Sequence, residues 1–425
     1  MRFAHRVPGR RGRRLRVALC AALVASPLVA ACGSDDGGIT VNVYYSIEEN
    51  FDKVIANCAD AAHGRYKVAF TALPRDADDQ REQMVRRLAA GDSDMDILGL
   101  DVTWVAEFAQ AGWIAEWTGQ DKADIEQGTL AGPLTTARWQ GKLFAAPKNT
   151  NVQLLWYRSD VVPTPPKTWS EMLDMAARLK AEHKPATVLM TGAQYEGLVV
   201  QFSTLTAGAG GKILSDDGSK AVVDDGAVRA LQALRDVATS PAVSPSLSNA
   251  KEDNIRQEFE KGNAAFELNW PFVYASMGKS NPELAKVFKW APYPALDANK
   301  TGTSTIGGYD LAVSTYSQHK PEAFEVAKCL RSAENQKYSA INSGVPPTIE
   351  SVYHDPEMAE PYPMRDAILT ELKSAAVRPV TPVYQNVSTL VSAILSPPSG
   401  IDPPKTAERL RTELQDALDS KGVLP

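Results

Sequence analysis

Asn269-Trp270-Pro271 closes the short run Phe266-Glu267-Leu268 and sets an indole directly beside an amide. Proline fixes its own φ and biases the preceding residue toward an extended backbone, so Trp270 is expected at a strand end, not inside a helix. A flat apolar face next to a hydrogen-bonding amide suits a sugar ring, which has C–H faces and hydroxyl edges. The competing reading is one more core aromatic. Other chemistry is harder to place. His5, His63, His183, His319 and His354 are scattered without metal-ligand spacing. Gly208-Ala209-Gly210-Gly211-Lys212 lacks the spacing of a phosphate cradle and the Ser or Thr after lysine. There is no Gly-x-Ser-x-Gly elbow. Carboxylates are plentiful, so the acid pair of a sugar-cleaving enzyme stays as an alternative, although most acids in such a chain are solvated. No metal or cofactor is expected.

The elements that would position these residues begin with Ile39 to Tyr45, β-branched and aromatic, which reads as a strand. Phe51, Val54, Ile55 and Cys58 fall on one face of a helix over 51–61. A second strand is expected over 66–73, then a helix with acids in its first turn, closed by Gly91. Met95 to Leu100 is continuously apolar, as a buried parallel strand should be, and delivers Asp101 at its carboxyl end. This strand–helix alternation predicts an α/β domain with a mostly parallel sheet. Ligands of such sheets bind beyond the carboxyl ends of the strands, so Ser46, Glu48, Glu49 and Asp101 point to one rim. Lys148 to Asn151 reads as a connection into a strand over 152–157, and Pro163 to Pro166 breaks the chain before a helix opened by Thr168 and Glu171. Further helices are expected over 196–206, 254–261, 321–331, 364–376, 383–395 and 405–418, with a strand over 311–314.

Seven arginines and no acid fill the first sixteen residues, and Val17 to Ala31 is apolar but too short to span a bilayer. This is the pattern of an export signal over 1–31. Leu28-Val29-Ala30-Ala31-Cys32, followed by polar residues to Gly38, resembles a bacterial lipobox; the resemblance implies cleavage before Cys32, lipidation of its sulfur and a flexible linker over 32–38. The export route, general or twin-arginine, is left open by Arg13-Arg14-Leu15-Arg16. Losing those seven of the 45 basic residues leaves 38 against 51 acids, a formal charge of −13. So acidic a surface argues against nucleic acid as a partner. Cys58 and Cys329 then remain in an oxidising compartment. They form either a disulfide, which requires Cα atoms within about 7 Å, or two free buried thiols.

Several long segments carry a family resemblance: Ala106 to Trp113, Gln153 to Arg158, Glu196 to Val200, Asn269 to Val273 and Val377 to Tyr384. With the lipobox and Gly307-Gly308, they resemble extracellular sugar-binding proteins of ATP-driven importers (solute-binding family 1), nearest to the actinobacterial trehalose-binding lipoproteins. Ser46 to Asn50 and the shorter 279–289 region depart from that pattern. The resemblance implies a two-lobe α/β fold of the maltose-binding-protein type, with a hinge and a ligand cleft between lobes. One lobe would comprise 33–150 with 305–345, the other 151–304 with 346–425, which places Cys58 and Cys329 together. It implies a monomeric, lipid-anchored receptor outside the bacterial cytoplasmic membrane, with a disaccharide as ligand, trehalose foremost, then maltose or another sugar. Permease subunits and, through them, an ATPase would be its partners. Asp101, Asn151, Glu196 and Asn269, with Glu48 at the rim, would hydrogen-bond sugar hydroxyls, and Arg378 would bridge two of them with its fork of donors. Trp270 would be the stacking platform and Tyr195 or Tyr309 a second wall. Gly307 and Gly308 would let backbone approach the sugar.

Overall fold

The computed structural model describes residues 38–421. The export signal, the lipidation at Cys32 and all but the last residue of the 32–38 linker lie outside the described residues.

Two sheets organise the chain. The first has the order β2-β1-β3-β11-β6, built from β1 (Ile39–Tyr45), β2 (Tyr66–Ala72), β3 (Ile97–Asp101), β6 (Ala146–Asn151) and β11 (Gly307–Val313). β1 pairs parallel with both β2 and β3, while the late strand β11 inserts antiparallel between β3 and β6. A two-residue pair, β4 (Arg138–Trp139) and β5 (Lys142–Leu143), precedes β6. The second sheet has the order β10-β7-β9-β8, from β7 (Leu154–Arg158), β8 (Thr187–Leu189), β9 (Ala264–Asn269) and β10 (Phe288–Ala291). β9 runs antiparallel to β7 and parallel to β8.

The inner strands β3, β7 and β9 are buried on both faces, which explains their largely apolar runs. Ile97, Leu98 and Leu100 of β3 are fully buried in a cluster with Val41, Val43, Phe51 and Leu311. Gly99 in the same strand is required by close approach: a Cβ there would lie 2.2 Å from a ring carbon of Tyr45. Around the second sheet, Leu155, Phe266 and Leu268 face one apolar cluster, and Leu154, Trp156 and Phe259 another. Polar side chains lace the passages between sheets: the Thr204 and Thr305 hydroxyls meet at 2.9 Å, and Ser304 accepts the Gln153 amide at 2.9 Å.

Helices from the two ends of the first sheet's sequence are tied covalently. Cys58 on the Phe51–Ala61 helix and Cys329 on the Lys320–Leu330 helix form a disulfide, with Cα atoms 5.8 Å apart. The free-thiol alternative is thereby set aside.

Four features differ from the reading of the sequence. Lys148 to Asn151, read as a connection, belongs to β6, because β11 supplies it with a partner 156 positions along the chain (Gly307 opposite Asn151). β11 itself starts at Gly307, four residues earlier than expected, held from both sides by β3 and β6. Phe272–Ser280 is a helix directly after Pro271, which sits at its N-cap in helical conformation. Proline is well suited to that entry, since its missing N–H falls where helices lack partners. The Thr168 hydroxyl accepts the Glu171 amide at 3.2 Å as expected, but the returning Glu171 carboxylate takes the Lys167 amide, not that of Thr168.

Candidate functional site

Three neighbouring strand ends of the first sheet form one side of the site. Asp101 ends β3 and lies opposite Tyr309 of β11, while Asn151 ends β6 and lies opposite Gly307. Antiparallel insertion of β11 therefore gathers at one rim residues from positions 101, 151 and 307–309. Asp101 Oδ1 accepts the Thr103 amide at 3.0 Å and its hydroxyl at 2.8 Å, a local turn that fixes the carboxylate. The Tyr309 amide donates to Asn149 Oδ1 at 3.1 Å, and its hydroxyl reaches Gln80 Oε1 at 3.2 Å. Burial, with Asp101 nearby, pushes the Tyr309 phenol up to about 12, so it stays a neutral donor. Gly308 takes φ 130°, and a Cβ there would lie 2.4 Å from the Asn149 carbonyl oxygen.

Helix starts from the second sheet's side face this rim. Tyr195 precedes the Glu196–Gly208 helix, Lys251 the Glu252–Glu260 helix, and Trp270-Pro271 the Phe272–Ser280 helix. Glu196 and Glu252 thus occupy first helical turns, where the exposed N–H groups favour negative charge.

Arg378 joins the two sides. It is 5% exposed, and it pairs with Glu196 through Nη1 and with Asp101 through Nη2 at 3.5 Å. Nη2 also donates to the Ile306 carbonyl at 3.3 Å. Glu196 takes further donors from the Tyr384 hydroxyl at 2.7 Å and from Ser388. Burial pushes the Glu196 carboxyl up, opposed by Arg378 and the two hydroxyls. For Arg378 burial works against the charge, but Tyr384, Asp101 and Glu196 together raise it, so the guanidinium stays charged. The arrangement is a buried charge triad whose Arg378 Nε has no partner.

Trp270 lies half-buried across the same gap. A Cβ on Gly307 would sit 3.1 and 3.2 Å from two of its six-membered-ring carbons and 3.4 Å from the Asn151 Cβ. Its backbone N–H donates to Asn269 Oδ1 at 2.8 Å. Asn269 itself is fully buried, and its amide group is spent inside the protein: Nδ2 donates to Glu267 Oε1 at 2.7 Å and to the Glu252 carbonyl at 3.1 Å. Its backbone carbonyl accepts the Trp156 indole N–H at 2.8 Å. The structure therefore sets Asn269 behind Trp270, and the expected bond from its side chain to a ligand hydroxyl is replaced by a bond that holds the indole-bearing residue.

Glu252 was invisible in the sequence. Its carboxylate accepts the Tyr195 hydroxyl at 2.6 Å, and burial pushes it up while Tyr195 and Trp270 pull it down. The only local signal, an acid at a helix start, is common on any surface helix. Glu48, by contrast, stands apart from the Arg378 triad. Its carboxylate turns inward to pair with the fully buried Lys148, whose ammonium sits 5.0 Å from the Tyr45 ring centroid and 4.9 Å from that of Phe51. Among the described residues, no group of three or more His, Cys, Asp or Glu side chains is placed to hold a metal ion. A cavity of about 390 Å³ is lined by Lys180, Pro241, Val243 and Leu247 and by none of these residues.

This geometry has relatives. The maltose-bound MalE3 of T. maritima superposes with a TM-score of 0.81 at 27% identity, covering 89% of this chain and 99% of that one. The tagatose-bound solute-binding protein of Thermotoga lettingae shares the fold with a TM-score of 0.78 at 22% identity, covering 90% of this chain and all of the other. A probable ABC transporter-binding protein of Deinococcus radiodurans is 28% identical over 347 residues, 77% of this chain and 80% of that protein. The fold is thus the two-lobed one of maltose-binding proteins. Residues 46–337 match the model of the bacterial extracellular solute-binding proteins, and the chain belongs to that family.

Proposed function

We propose that the protein is the substrate-binding lipoprotein of an ATP-driven sugar importer, which takes a disaccharide, trehalose foremost, in its cleft and hands it to the membrane permease. The observation that carries this reading is Trp270, a half-buried indole held over Gly307 beside the Asp101–Arg378–Glu196 triad. An apolar plane next to fixed, charge-compensated donors and acceptors recognises a neutral ring with many hydroxyls. Because those polar groups are already buried, a ligand lacking the matching hydroxyls leaves them unpaired at about 1–3 kcal/mol each.

Asp101, Asn151, Glu196 and Arg378 contact hydroxyls in this reading, with Glu252 added and Glu48 further out. Tyr195 and Tyr309 wall the ring, Gly307 and Gly308 bring backbone close, and Asn269 positions Trp270. The lobes are 33–150 with 305–345 and 151–304 with 346–425, so that the β6–β7 passage is one of the hinge strands. Export and lipidation at Cys32 hold the receptor, as a monomer, on the outer face of the cytoplasmic membrane. It performs no chemistry on the sugar. Trehalose is favoured by the resemblance of the long segments quoted above to the actinobacterial lipoprotein LpqY. Maltose is the second reading, because the 27%-identical MalE3 is maltose-bound.

Titration calorimetry of the purified protein with trehalose, maltose and glucose tests this. Saturable heat with trehalose, weaker with maltose and least with glucose, is the expected result. Tight maltose binding with no trehalose signal overturns the trehalose assignment. Released glucose makes the protein an enzyme.

A further inference from the structure

Glu267 is a carboxylic acid in the middle of a sheet. It lies on β9 opposite Trp156 of β7 and beside Leu189 of β8, with no exposed surface. Its Oε1 accepts the Asn269 side-chain N–H at 2.7 Å, and its Oε2 is buried without any hydrogen-bond partner. Among the described residues, no cation pairs with it. Asn269, two residues on along the same face, passes this one bond outward to three places. Its Oδ1 takes the Trp270 backbone N–H, its Nδ2 also holds the Glu252 carbonyl, and the Glu252 carboxylate in turn holds the Tyr195 hydroxyl at 2.6 Å.

We infer that Glu267 is a positioning residue for the cleft, orienting Asn269 so that both aromatic walls, Trp270 and Tyr195, stand ready for a sugar ring. The inference rests on the reading of the cleft as a sugar site. Without the acceptor at Glu267, the Asn269 amide loses its shortest bond and keeps only the Glu252 carbonyl and the Trp270 N–H, one partner at each end, so it turns more easily. An amide turned end for end presents NH₂ to the Trp270 N–H, two donors facing each other.

The charge on Glu267 bears on the device: the Asn269 bond is open to either form of the acid, but ionisation leaves a buried charge behind it. Burial pushes the Glu267 carboxyl up to about 8; Glu260 raises it further, while the Asn269 bond and Arg256 pull it down. Glu260 and Arg256 come from the Glu252–Glu260 helix packed above and are paired with each other at 2.9 Å, whereas the β7 and β8 neighbours, Trp156 and Leu189, carry no charge. With the folded value above the ordinary 4.5, the neutral acid's contribution is complete at low pH and is lost as pH rises through about 8. Above that, an unpaired buried charge must pull in water or donors and disturb the bonds around Asn269. If only the neutral form is competent, apparent affinity drops about tenfold between pH 7 and pH 9 for a midpoint near 8.

The test follows trehalose and maltose affinity by calorimetry from pH 7 to pH 9 in the wild type, E267Q and E267L. The indole N–H resonance of Trp270, identified by its loss in W270F, is followed in the unliganded proteins over the same range. E267Q should bind like the wild type at pH 7 and stay flat to pH 9, while the wild type weakens about tenfold. E267L should bind poorly at pH 7 with a displaced Trp270 resonance. Identical pH profiles for wild type and E267Q, or wild-type affinity in E267L, overturn the inference. If the wild type binds neither sugar, the sugar reading fails, and the resonance alone decides. Movement near pH 8 in wild type but not in E267Q supports the positioning role, and equal behaviour refutes it.

Discussion

Trp270 combines two features that rarely coexist: a rigid backbone position and an indole left partly open. Pro271 fixes the turn behind it, Asn269 holds its N–H, and Gly307 makes room for the ring. Since the indole is only partly covered, Trp270→Ala should abolish sugar binding in calorimetry while shifting the unliganded melting midpoint by only a few degrees. A large drop in that midpoint would make the residue structural. Arg378→Met should behave differently. It leaves Glu196 and Asp101 as buried acids without their cation, so stability should fall by about 3–5 kcal/mol in denaturant titrations, together with loss of binding. Trp270 was legible because tryptophan before proline is a strong local signal, whereas Arg378 was reached only through the family resemblance of the segment Val377 to Tyr384. Glu252, Glu267 and the inward turn of Glu48 were not legible. An acid in a sequence reads as solvated surface, and only the packing of distant elements shows that these are buried and what they hold.

At the level of elements, the strand–helix alternation of the first part of the chain was readable because buried parallel strands are continuously apolar and helices carry stripes. The insertion of β11 between β3 and β6 was not, since nothing local in Gly307-Gly308 announces antiparallel partners on both sides. The Phe272–Ser280 helix was hidden for a related reason: Phe272, Val273 and Tyr274 have strand-like side chains, and the helix is imposed by Pro271 and by packing of Val273 and Met277. The same insertion makes Gly308 sensitive. Gly308→Ala should lower the melting midpoint, because φ 130° is forbidden to alanine and its Cβ would meet the Asn149 carbonyl. The disulfide pins the Phe51–Ala61 helix to the Lys320–Leu330 helix across 271 positions. The Cys58→Ser, Cys329→Ser double variant should lose about 2–5 kcal/mol in chemical unfolding, with sugar affinity nearly unchanged because the side-chain bonds that hold Arg378, Glu196 and Trp270 come from neither helix. Equal stability with and without the bridge would contradict this.

Across the whole molecule, the two halves meet through more than the proposed site. Asp76, at the start of a first-half helix, pairs with Lys251 of the second at 2.9 Å, Arg75 with Asp253 at 3.5 Å, and Glu49 with Lys279 at 2.5 Å. Each pair is solvent-screened and individually weak. All of them nonetheless exist only while the halves are together, so high salt should speed sugar release, and combining Asp76→Lys with Lys251→Asp should restore what either change alone weakens. Such matching of distant surfaces leaves no periodic trace in a sequence, whereas the two-lobe plan could be read from extended resemblance. The most direct measurement of the central claim remains calorimetric titration of trehalose, maltose and glucose, with free glucose assayed in the same samples. Saturable one-to-one binding strongest for trehalose, with no glucose released and binding gone in Trp270→Ala, is the predicted result. Absence of binding to every one of these sugars, or sugar binding that survives in Trp270→Ala, would contradict the account.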